Sequence, residues 1–286
     1  MDIYAIQAVH GLVYGMLLFL VASGLTLVFG MMGVLNLAHA AFYMLGAYFA
    51  YTITIDVGNF WLSLILAPLI VGVVGIAIEH FSLRKVHKSG HVAELLLTFG
   101  LFYVIGELVR IFWGSNPLRI PVPGLLLGEI PFMEKTYPIY RIFIIGFSFV
   151  ILIGMALLLL KTRIGIIIRA AVSDADMVEA LGANVPRVFM AVFGGGAALA
   201  AVAGVIAAPF LSTYPGMGLD VLLDCFVVIV VGGFGSLLGA FITSLLLGEL
   251  QSFGVLWIPR LALVFQFVLM AVVLIVRPTG LFGEKQ

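Results

Sequence analysis

Charge is what this chain has least of. Only 10% of its 286 residues are charged, 14 basic against 14 acidic, while 63% are hydrophobic and the mean hydropathy is +1.26. Soluble domains carry about 25% charged residues, so the composition excludes a water-soluble globule and describes a polytopic membrane protein. The balanced charge, with no basic run, leaves no nucleic-acid surface. A single cysteine, Cys225, excludes an intramolecular disulfide and any multi-cysteine metal site. No G-x-x-x-x-G-K-[ST] sequence is present, so the chain has no P-loop to hold ATP phosphates. HExxH and GxSxG are missing as well, which removes the familiar intramembrane hydrolase chemistries. No segment between apolar runs reaches domain size, so a soluble substrate-capturing domain has to be another chain. The N-terminus, MDIYAIQAVHGLVYG, has an acid where a signal peptide carries positive charge, and its apolar stretch continues to about Gly30. It reads as a retained first span.

What is there is a series of apolar runs. With about 20 residues needed per crossing, spans are expected at Ile6 to Gly30, Val34 to Ile55, Phe60 to His80, Val92 to Phe112, Ile139 to Leu160, Val188 to Leu211, Val221 to Leu250 and Leu261 to Val276. The fold expected is all-α: a bundle of about eight spans. Arg84, Lys85 and Lys88 crowd one short loop, and Lys161, Arg163, Arg169 and Arg187 mark another, so both are expected in the cytoplasm. Trp113 to Pro138, with five prolines, then falls on the external side as a structured loop. Parity raises a conflict. Eight plain crossings would place Arg277 and Lys285 outside, against the positive-inside rule. A break of Val221 to Leu250 at Gly232, Gly233 and Gly235, into two short crossings or a re-entrant turn, would remove it.

The most informative stretch is a polar island, Lys161 to Arg187, reading KTRIGIIIRAAVSDADMVEALGANVPR. Ser173 can cap a helix, Asp176 sits three residues on as in a capping box, and Gly182 offers a left-handed stop. That leaves roughly two turns of helix. So short a helix between spans is not stable alone and must pack on something.

A weak internal repeat points to the glycine-rich break. Val28 to Leu35 (VFGMMGVL) matches Val230 to Leu237 (VVGGFGSL), and the same register aligns Ala38 with Ala240, Leu45 with Leu247 and Gly46 with Gly248. Glycine-interrupted segments in two halves of a transporter point to a central pathway, although common membrane residues at such spacing also arise from helix packing. Among polar residues within spans, Asn36 and His39 are three apart and are expected on one helical face, to line a path or to bond a neighbouring helix. Glu107 and Arg110 are expected to pair locally. Asp220 and Asp224 are read as acids near a helix start, Glu94 as interfacial, and Glu249 as marking the far end of the broken segment. The run GGGAALAAVAG, Gly194 to Gly204, is expected to let helices approach closely.

Four ordered motifs carry a family resemblance: GVLNLAHAAFYMLGAY (Gly33 to Tyr48), RAAVSDADMVEALGANVPRV (Arg169 to Val188), VVGGFGSLLGA (Val230 to Ala240) and RPTGLFG (Arg277 to Gly283). Together they resemble the LivH/BraD group, permease subunits of ABC importers for branched-chain amino acids in the bacterial inner membrane. The resemblance implies one permease domain over 1–286, with 161–187 as cytoplasmic coupling loop and 113–138 as external loop. It implies a second LivM/BraE-type permease, two cytoplasmic ABC ATPases that bind ATP and Mg, and a periplasmic or lipid-anchored binding protein as partners. No cofactor is implied on this chain. A short helix from Asp174 to Leu181 becomes the coupling element. Met177, Val178 and Leu181 then offer apolar contact to the ATPase, and Arg169, Asp174, Asp176 and Glu179 fix orientation, with Gly182 closing the helix. Glu179, Ala180 and Gly182 only echo the fuller EAA pattern of other importers. Asn36, His39, Gly232, Gly233 and Gly235 are the candidate substrate path. Related permeases serve urea or amides, which leaves the substrate open. A different class, a self-sufficient ion-coupled transporter titrating Glu79, Glu94, Asp220 or Asp224, is disfavoured because these acids are expected at helix ends rather than at midplane.

Overall fold

The computed structural model describes residues 2–132 and 135–283. Lys285, invoked in the parity argument, lies outside them. The described residues form an all-α bundle with one small hairpin. The long helices are α1 (Asp2–Met32), α2 (His39–Val57), α3 (Phe60–Ile78), α5 (His91–Trp113), α6 (Ile139–Lys161), α9 (Val185–Ala207), α10 (Met217–Gly232), α11 (Leu237–Trp257) and α12 (Ala262–Val276). A π-turn, Glu79–Leu83, and a last turn α4 (Arg84–Val86) prolong α3, and two short helices, α7 (Arg163–Ser173) and α8 (Ala175–Ala180), fold the polar island.

Eight of these helical stretches are long and apolar enough to cross a membrane. The broken segment behaves as the glycines suggested: α10 stops at Gly232, Gly233 and Gly235 take φ of 99° and 79°, and Ser236 caps α11 by accepting from Gly239 N–H. Positive φ is costly for any residue with a Cβ, so the turn falls where glycine removes that cost. At 16 residues α10 is about 24 Å long, short of a hydrocarbon core of about 30 Å. It is a ninth, shorter traverse. Parity is thereby resolved: the turn after α12 packs beside the α10 break, Leu281 N–H donating to Val231 O at 2.8 Å and Phe282 N–H to Gly232 O at 3.1 Å. Arg277 therefore lies at the same end as Arg84 and the polar island, while Asp2 starts at the far end.

Both copies of the sequence repeat are helix–break–helix turns at that basic end, and they touch. A Cβ on Gly30 would come within 3.0 Å of Gly235 Cα, and the Phe29 and Phe234 rings are 4.6 Å apart.

Small residues decide which helices sit inside. Lipid is as apolar as leucine, so helices associate through close packing. α9, carrying Gly194 to Gly204, makes extensive contacts with α1, α2 and α3, and α11 lies along α1. The most apolar window of α1 is 78% buried, that of α6 only 11%; α5 and α12 are peripheral too. The proline-rich stretch forms a 3-10 turn (Gly124–Leu126) and an antiparallel hairpin, β1 (Glu129–Phe132) with β2 (Lys135–Pro138), at the far end. It is tied to the start of α10 by a bridge between Leu118 and Thr213.

Candidate functional site

The polar island folds into two helices where one was expected. Thr162 caps α7, accepting from Gly165 N–H at 3.1 Å, and α7 buries Gly165, Ile168 and Ala171. Ser173 is not the cap expected of it: it is the last helical residue of α7. Asp174 is extended (φ −156°, ψ 95°), so its carboxylate turns over the next N-terminus and accepts from Met177 N–H at 2.9 Å. With Asp174 as cap, Asp176 is an exposed first-turn residue and no capping box forms. α8 is six residues long rather than a full two turns. Gly182 ends it as expected, at φ 90°, its N–H donating to Glu179 O at 2.9 Å. Val178 packs inward, whereas Met177 and Leu181 are 57% and 81% exposed. Arg169, Asp174, Asp176 and Glu179 are exposed beside them. The surface thus offers two unburied apolar side chains inside a charged rim.

A tie runs from this surface into the bundle. Arg84 donates through Nη2 to Pro186 O, in the first turn of α9 just past α8, at 3.0 Å. The same guanidinium reaches the Glu79 carboxylate at 3.0 and 3.3 Å, and Glu79 is buried. Sequence reasoning missed this pair because residues five apart lie about 140° apart around an α-helix. The π-turn over Glu79–Leu83 unwinds the helix enough to bring them onto one face. Glu94, expected at the interface, is also buried, and its carboxylate meets the imidazoles of His87 and His91.

Asn36 and His39 do not share a helical face. Gly33 ends α1, and Asn36 lies in the non-helical break with its carbonyl accepting from His39 N–H at 3.1 Å. Both side chains are buried. His39 Nε2 meets Val21 O at 2.9 Å, while Asn36 Oδ1 and His39 Nδ1 have no partner among the described residues. Gly232, Gly233 and Gly235 form the break itself, and the C-terminal turn already satisfies the Val231 and Gly232 carbonyls.

The other polar centre is on α10. Asp224 is buried and accepts from Tyr14 Oη at 2.5 Å, with Gln266 of α12 turned toward the same carboxylate. One turn outward, the exposed Asp220 accepts from the Tyr214 hydroxyl. Reading these acids as mere helix-start charges is correct for Asp220, in the first turn, and wrong for Asp224, the eighth residue of α10, which is held by two other helices. Tyr14 and Asp224 are 210 positions apart, so only two aspartates in an apolar helix could have signalled the centre. Glu107 and Arg110 pair as expected, at 2.5 Å. Glu249 is not at the end of its segment; it lies against Gly11 of α1, two turns before α11 stops. Among the described residues, no group of three or more His, Cys, Asp or Glu is disposed to hold a metal ion.

Residues 7–274 match the family described as branched-chain amino acid transport system / permease component. The chain is 31% identical to the high-affinity branched-chain amino acid transport permease BraD of Pseudomonas aeruginosa, over 99% of this chain and 97% of that one. It is 29% identical to LivH of Salmonella typhimurium, over 98% and 96% respectively. The probable LivH of Methanocaldococcus jannaschii is 25% identical over 95% and 90%. No solved structure matches. With eight helices fit to cross a bilayer and relatives aligned from end to end, this is a multi-pass inner-membrane protein, and it belongs to the family of permease components of branched-chain amino acid transport systems.

Proposed function

We propose that this chain is the transmembrane permease subunit of an ATP-driven ABC importer that carries leucine, isoleucine, valine or a related apolar amino acid inward. The observation that carries the reading is the α7–α8 surface at the basic end, where Met177 and Leu181 stand exposed within a charged rim on a chain that has no P-loop of its own. Interfaces place exposed apolar anchors inside such rims. The partners in this reading are a second permease of LivM/BraE type, two cytoplasmic ATPases holding ATP and Mg, and a periplasmic or lipid-anchored binding protein. The test is reconstitution with those subunits in liposomes. Leucine uptake that requires both ATP and the binding protein supports the proposal. Uptake by this chain alone in an ion gradient refutes it in favour of a secondary transporter.

The same reading puts the basic end in the cytoplasm and the hairpin outside. A cysteine at Lys85 is then expected to react with an impermeant thiol reagent only from the cytoplasm, and one at Asn116 only from outside. Reversed labelling overturns the orientation. The buried Cys225 leaves the background low.

A further inference from the structure

We infer that Arg141, at the external mouth of the bundle, is the site that receives the α-carboxylate of the incoming amino acid. The inference rests on the importer reading above and names the chemical group by which the chain would hold its cargo.

Position is the first argument. Arg141 lies in the first turn of α6, directly after the hairpin, and its neighbour His10 stands eight residues past Asp2 on α1, about 12 Å along the axis. With 31 residues α1 is about 46 Å long against a hydrocarbon core of about 30 Å, so about 8 Å projects at each end. His10 is therefore just inside the outer edge of the membrane. A long arginine at that level ordinarily reaches out to water. Arg141 turns across the bundle instead. Its Nη1 donates to His10 Nε2 at 2.5 Å, and its guanidinium carbon lies over the Tyr137 ring at 5.6 Å and over the Phe210 ring at 5.0 Å. Tyr137 belongs to β2 and Phe210 follows the end of α9, so four separate parts of the chain converge on one cation.

Charge is the second argument. A ring nitrogen accepts from arginine only when it is unprotonated, so His10 is neutral in this pair and cancels nothing. No Asp or Glu lies within ion-pair distance of Arg141 among the described residues. Glu134, the nearest acid along the chain, is outside them. The donors on Arg141 Nε and Nη2 have no acceptor among the described residues, and neither atom is sealed from the surface. The buried Tyr137, whose ring lies against this guanidinium, also carries a hydroxyl without a hydrogen-bond partner among the described residues.

Shape is the third. Stacking on aromatic rings fixes the plane of a guanidinium and leaves its edge, where the N–H groups are, to a ligand. A carboxylate meets such an edge through two parallel N–H···O bonds. The half-buried Phe210 ring gives an aliphatic side chain apolar ground beside it. Urea and neutral amides carry no carboxylate, so a site of this kind suits an amino acid and not those cargoes.

The experiment uses the reconstituted importer and follows leucine uptake as the loaded binding protein is titrated. Arg141→Gln is expected to lower maximal uptake about tenfold or more, the worth of a charge-assisted hydrogen bond, with the half-saturating concentration of binding protein unchanged. A raised half-saturating concentration with full maximal uptake would assign Arg141 to docking of the binding protein and overturn the inference. Wild-type uptake in Arg141→Gln overturns it too, as does a Glu134→Gln variant with the same loss, which would show that the cation already has a partner within the chain. If Arg141→Gln fails to assemble, Arg141→Lys decides, because it keeps the charge and loses the planar fork: a several-fold loss of maximal uptake supports the inference and wild-type uptake overturns it. All these outcomes leave the importer reading standing; wild-type assemblies that import no leucine defeat that reading and the inference with it.

Discussion

Gly204→Leu is expected to destroy the fold, whereas Gly195→Leu, nine residues earlier on the same helix, is expected to be tolerated. A Cβ on Gly204 would lie 2.0 Å from Tyr43 O and 2.9 Å from Ala47 N, both backbone atoms of α2. No rotamer change relieves an overlap with main chain, so α2 and α9 would have to part. Just beyond, a Cβ on Gly46 of α2 would lie 2.4 Å from the carbonyl oxygen of Ala201 on α9, so the seam cannot open at one point alone. Overpacking a core costs about 1–3 kcal/mol when side chains can yield; two facing backbones put this case at or above the top of that range. Gly195 is exposed and a Cβ there meets nothing within 4 Å. The measurement is the yield and thermal unfolding of each variant in detergent. Equal melting of Gly204→Leu and wild type would show that the α2–α9 seam is looser than the structure has it.

That contrast marks how far the sequence could be read. The run Gly194 to Gly204 announces close approach, but nine of its eleven residues are glycine or alanine and look alike until the partner helix is known; only packing distinguishes Gly204 from Gly195. Local chemistry was legible where it acts over a few residues. Gly182 stops α8, and Gly233 and Gly235 break the seventh apolar run just past Gly232, as φ above zero demands. The charge conflict at Arg277 was resolved by that break. What was not legible depends on geometry the chain adopts only when folded. Ser173 and Asp174 are both good caps, and the choice fell to Asp174 because α7 extends through Ser173. α7 itself was hidden because its apolar run, IGIIIRAAV, continues the span before it. Asn36 and His39 share a helical face only if α2 starts earlier than it does. Glu79, Glu94 and Asp224 all looked like helix-end acids because burial by distant helices leaves no trace in local pattern.

Of those buried acids, Glu79 leads to the second large effect: Arg84→Met is expected to leave ATP hydrolysis running while leucine uptake falls by about tenfold or more. Arg84 is the tie between the π-turn that ends α3 and the first turn of α9, which directly follows α8 and its exposed surface. In the importer reading, movement imposed on α8 reaches the bundle through α9's start, and Arg84 makes α3 follow it. Methionine fills similar volume but donates nothing to Pro186 O and strands a buried carboxylate, a loss of about 1–3 kcal/mol. Stability and coupling are separable in a double variant. Glu79→Gln with Arg84→Met removes both charges, so the uncompensated carboxylate disappears and stability should largely return. The bond to Pro186 remains absent, and uptake should stay low. Hydrolysis and uptake measured on the same proteoliposomes decide the matter: recovery of uptake in the double variant would mean that Arg84 serves only to neutralise Glu79, while persistent uncoupling at restored stability would identify it as the link that carries the α8 movement into α3.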